Sequence, residues 1–175
     1  MHLRSLLTAA LLALGAPPSA AHELWIAPVA YQIGVGESLA AHIRVGEAFK
    51  GNTNPYLERR TARFEIQIGE EKLEPLSTLG DRPALNRPVG KAGLAVVVHE
   101  TTDSALTYRD WQKFVEFVEH KGFQGALARH AERGLPETGF VETYRRLAKS
   151  LVAVGPRPGQ AREAGLDTGI TASAH

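Results

Sequence analysis

The chain has 175 residues, 43% of them hydrophobic, with 20 Lys and Arg against 19 Asp and Glu and no cysteine. This length suits one domain with a substantial core, and the balanced charge argues against nucleic acid and against an anionic membrane surface, which both call for a basic excess. The missing cysteines exclude thiol nucleophiles, thiolate zinc sites and iron–sulfur clusters.

The N-terminus has the three parts of a secretory signal. Arg4 supplies a positive start, Leu6 to Leu14 an apolar stretch, and Ser19-Ala20-Ala21 the small residues of a cleavage site. Spanning a bilayer takes about 20 apolar residues. No stretch here reaches that, so residues 1–21 read as a signal peptide and the mature chain is expected to carry no transmembrane helix. It should begin at His22. An exported protein without disulfides relies on packing alone, which points to a bacterial periplasm.

The first half of the mature chain alternates with period two, the mark of strands with one buried face. Leu39, Ala41, Ile43 and Val45 form one apolar stripe; Phe64, Ile66 and Ile68 form a second; Leu94, Val96 and Val98 form a third. Glycine-rich turns separate them, and the spacing predicts an immunoglobulin-like β-sandwich. The second half shifts to helical period. Thr107 to Asp110 has the form of a capping box, after which Trp111, Phe114, Val115 and Val118 recur on one face and Gly122 stops the helix. A second helix is expected from Gln124 to Arg133 and a third from about Phe140. The reading is therefore α+β: a sandwich over residues 22–155 with a helical insertion at about 107–149. Trp111 and Phe114 should join the core. Residues 156–175 open with Pro156, Pro158 and Gly159 and show no apolar alternation. They read as a disordered tail, or as the remnant of a missing continuation, that leaves a strand edge open.

Candidate chemistry concentrates at histidines. Cleavage after Ala21 would give His22 a free α-amine, and amine and imidazole together can chelate a transition metal. His42 on a strand's polar face and His99 at a strand end, before Glu100, are the candidates to complete a set, with Glu23 and Glu47 as oxygen donors. His120 and His130 lie near helix ends, where the dipole favours them without a metal. No His-Glu-x-x-His, phosphate loop or Gly-x-Ser-x-Gly elbow occurs, so no catalytic residue is assigned.

Several segments then resemble a known family. They are Ala21-His22-Glu23-Leu24-Trp25-Ile26-Ala27-Pro28, Arg44 to Gly51, Ala92 to Val98, the block from Tyr108 through Phe123, and Glu142 to Leu151. In order and spacing they resemble DUF4198, a family of exported proteins linked to nickel or cobalt uptake. The resemblance implies a β-sandwich with a helical insertion and a periplasmic role near transition-metal transport. It also implies strands beyond Gly155 that this chain does not continue into, as in a C-terminally truncated member.

The sequence therefore predicts a periplasmic, non-catalytic protein that binds Ni²⁺ or Co²⁺ through His22 with His42 or His99, for a membrane metal-uptake transporter. Cu²⁺ and Zn²⁺ suit the same donors. The alternative is a protein-interaction sandwich without metal.

Overall fold

The computed structural model describes residues 22–156, 159 and 164–166; the leader expected over residues 1–21 and most of the expected tail lie outside the described residues. Two antiparallel sheets face each other. In the first, β3 (Ser38–Glu47) is central, with β1 (Glu23–Pro28) along one side and β4 (Lys50–Asn54) and β7 (Leu85–Pro88) along the other. The second comprises β2 (Gln32–Ile33), β5 (Thr61–Ile68), β6 (Glu71–Leu73), β8 (Gly93–Thr101) and β11 (Leu147–Val154), in the order β2-β11-β8-β5-β6. Only β2 joins in parallel. With its two helices this is the α+β sandwich that the strand spacing predicts.

The core lies between the sheets. Leu39, Ala41 and Ile43 of β3 face Phe64, Ile66 and Ile68 of β5 across it, on the faces read from their alternation. In β8 the expected stripe is on the wrong face. Ala95 and Val97 enter the main core, while Val96 and Val98 are buried on the opposite side under Ala164, Leu151 and Leu166. A nearly continuous apolar run has no readable period, because both of its faces are covered.

Part of that outer cover comes from the few described residues of the expected tail. Arg63 donates from Nη2 to the Ala164 carbonyl at 2.8 Å and from Nη1 to the Gly165 carbonyl at 3.1 Å. Residues 164–166 thus cover Val96 and Val98 on the outer face of the second sheet, although their local sequence shows no alternation.

Between β8 and β11 the hairpin continues outward as a two-stranded arm. It is formed by β9 (Ser104–Tyr108) and β10 (Phe140–Tyr144), with α1 (Trp111–Lys121) and α2 (Ala126–Glu132) at its tip. Helix α1 ends at Gly122 with φ 64°, as the glycine predicts. Its start differs: Asp110 caps it, accepting from the Gln112 amide at 3.0 Å, while Thr107 belongs to β9. The third helix expected from Phe140 does not form. Those residues are β10 and β11, because pairing of β10 with β9 and eight consecutive pairs of β11 with β8, Leu147 with Glu100 through Val154 with Gly93, override their helical propensity.

Trp111 and Phe114 also stay out of the sandwich core. They build a separate aromatic cluster with Tyr108, Phe140 and His130. His130, in the last turn of α2, donates from Nε2 to the Pro136 carbonyl at 3.0 Å. The arm meets the sandwich at Arg145, whose guanidinium bridges Glu100 at 2.7 Å and Asp103 at 2.9 Å.

His99 is paired with Phe64 and points into the core, 2% exposed, its ring edge-on to Phe64 at 5.1 Å. Neither ring nitrogen has a hydrogen-bond partner. Burial pushes its pKa down from 6.5 to about 4, so the folded protein holds it neutral.

Three outcomes are expected. Phe64→Ala should cost about 3–5 kcal/mol in urea unfolding, the range for an aromatic removed from a packed core. Because the unfolded chain binds a proton at His99 more readily than the native one, stability should fall as pH drops from about 6.5 to about 4 and then level off. The loss at this site is on the order of 3 kcal/mol, and His99→Leu should flatten that limb of the unfolding curve. Arg145→Ala should accelerate amide exchange across residues 104–144 and leave the exchange of β5 and β8 unchanged.

Candidate functional site

Three places hold the predicted histidines, and they are separate. His99 lies inside the core. His42 is on the outer face of the first sheet, half-buried opposite Ala27, with an unpartnered Nδ1. His22 is exposed immediately before β1. Five residues separate His22 from Ala27, roughly 16 Å at the rise of a strand. Ligand bonds run near 2 Å, so His22 and His42 do not share an ion. His99 faces the other way, into an apolar interior that offers no second donor. The expected set of His22 with His42 or His99 is therefore not assembled. Among the described residues, no three His, Asp or Glu side chains form a group that could hold a metal ion.

His22 instead borders a cavity of about 650 Å³ between the start of β1 and the arm. Its floor is one face of the β9–β10 ribbon. Phe140, Glu142 and Tyr144 alternate with the exposed Val141 and Thr143. Cross-strand pairing sets Phe140 opposite Tyr108 and Glu142 opposite Leu106, so Glu142 and Tyr108 are diagonal neighbours. One wall is α1, where Lys113, Phe117 and Lys121 recur every fourth residue on a single helical face. Arg109 and Arg146 complete the rim; the Arg146 guanidinium lies 4.7 Å from the Tyr144 ring centre.

Glu142 carries the chemistry of the floor. Burial, then its hydrogen bond to the Glu142 carboxylate and that group's charge, push the Tyr108 hydroxyl well above the usual phenol range. Tyr108 thus remains a donor, and its hydrogen bond holds the Glu142 carboxylate in place. The Glu142 Oε2 atom is buried without a hydrogen-bond partner. His22 offers an imidazole and Glu142 a carboxylate with a spare oxygen, nitrogen and oxygen donors of the kind that a divalent transition ion takes. Two side chains with an α-amine would reach the three donors that the side chains alone do not.

Glu142 and Tyr108 were not singled out as site residues by sequence reasoning. The available signal was the alternation Phe140-Glu142-Tyr144, hidden because the same segment also fits a helical period.

No helix among the described residues is long and apolar enough to cross a membrane. Comparison with curated proteins and with solved structures gives no match. The family described as a domain of unknown function, DUF4198, matches residues 19–175. That stretch takes in both sheets, the arm and the cavity between them, and the chain belongs to the DUF4198 family.

Proposed function

We propose that this is a periplasmic, non-catalytic protein that holds a transition metal ion, Ni²⁺ or Co²⁺, at a site created by removal of its leader after Ala21. The ion would be held by the α-amine and imidazole of His22 and by the Glu142 carboxylate, for delivery to or from a membrane metal-uptake transporter. Cu²⁺ and Zn²⁺ are accepted by the same donor types. The observation that carries this reading is that His22 and Glu142, whose Oε2 has no hydrogen-bond partner, line one cavity. Tyr108 positions the carboxylate, and the described side chains fall short of three donors, so the free amine becomes the deciding ligand. Amine and imidazole must both be deprotonated to bind, so affinity should decline in acid.

A second reading, a protein-interaction sandwich without metal, draws support from Phe49, which stands 76% exposed at a hairpin tip. Calorimetric titration separates the two. Ni²⁺ should bind the chain that starts at His22. Binding should weaken by at least about tenfold, or 1.4 kcal/mol, in a chain with one extra residue before His22 and in Glu142→Gln. Equal affinity in the processed and extended chains, or no binding to either, would overturn the metal reading.

A further inference from the structure

The cavity beside His22 is much larger than an ion needs. About 650 Å³ falls within the roughly 300–1,000 Å³ that small-molecule sites occupy. Its walls are of two kinds. Phe117, Phe123 and Tyr144 supply apolar surface, with the Phe117 and Phe123 rings edge-on at 5.6 Å. Arg109, Lys113 and Arg146 supply positive charge around it.

The charges do not cancel in place. Asp110 is occupied with the α1 cap and Glu142 with the Tyr108 hydroxyl. Arg109 and Lys113 form no ion pair among the described residues. Arg109 and Lys113 are therefore uncommitted, while two of the acids already have partners.

We propose that this cavity binds a small organic carboxylate with an apolar body. The body would lie against Phe117, Phe123 and Tyr144, and the carboxylate would face Lys113 and Arg109, where a charge-assisted hydrogen bond is stronger than a neutral one. The proposal concerns the same cavity as the metal site but stands on different residues, and it does not require the ion.

The test uses 3-phenylpropionate and its uncharged amide, 3-phenylpropanamide, titrated without metal into the chain beginning at His22. The acid should bind at least about tenfold more tightly than the amide, a difference of about 1.4 kcal/mol, and the gap should narrow as salt screens the cations. Lys113→Glu should erase the preference, and Lys113→Arg should retain it. Lys113 is exposed on α1, so thermal unfolding of both variants should match the parent chain. Equal binding of acid and amide overturns the proposal, as does the absence of binding by either up to about 10 mM, the weak end of measurable affinity. Ni²⁺ titrated separately into the same chain reports on the metal reading, so either idea can fail without the other.

Discussion

Strand β8 is paired on both sides, with β5 and with β11, and covered on both faces. A strand in that position cannot shift register by one residue without turning Val97 and His99 out of the core and Val96 and Val98 into it. The cost of such a slip fixes the rest of the second sheet. Once β8 is set, eight ladder pairs set β11, and the two strands must leave the sandwich together as the arm. Neutral His99 belongs to this constraint. Its ring fills the core against Phe64 as an aromatic would, and the same burial keeps it uncharged at neutral pH.

The arm then places the cavity. Arg145 joins Glu100 at the end of β8 to Asp103 just before β9, and Thr101 exchanges hydrogen bonds with Arg146 across the same junction. These contacts are partly exposed, and each is weak in isolation. They act together where the two chain segments cross between ribbon and sandwich, so they bear on the angle at which the floor of the cavity meets β1. The aromatic cluster of Tyr108, Trp111, Phe114, His130 and Phe140 makes the tip a small core of its own. The helices can therefore be rigid without contributing to the sandwich interior.

The parts of this structure legible in the sequence were those with one wet face. Leu39-Ala41-Ile43 and Phe64-Ile66-Ile68 alternate because water lies on one side of each strand, and their inward faces follow directly. The family resemblance also held, since its motifs span both sheets and the arm. Two kinds of element were unreadable. Val96 and Val98 sit in a strand buried on both faces, which leaves no contrast to read. Residues 140–151 satisfy helical and strand periods equally, and only pairing with β9 and β8, far earlier in the chain, selects the strand. The site suffered most from that ambiguity. A helical reading scatters Glu142 away from Tyr108, whereas pairing of β9 with β10 brings them into contact.

A chain end normally frays, so a site built on His22 needs β1 to be held firmly. All six residues of β1 pair with β3, Glu23 opposite Gly46. Gly46 and Gly51 face each other across the next hairpin so closely that a side chain on either would strike backbone within 2.2 Å. That approach carries the strands into a two-residue turn, Ala48-Phe49, with both residues at positive φ, 46° and 58°. Right-handed strand twist favours such a turn, but Asn-Gly is its usual occupant, and non-glycine residues there cost on the order of 1 kcal/mol each. The strain has a counterpart: it sets the Phe49 ring edge-on to Trp25 at 5.8 Å. Trp25 is three residues from His22 on the strand that must not fray. An Asn-Gly turn would relieve the backbone and remove the ring in the same step, so the strained pair is best understood as a clamp on β1.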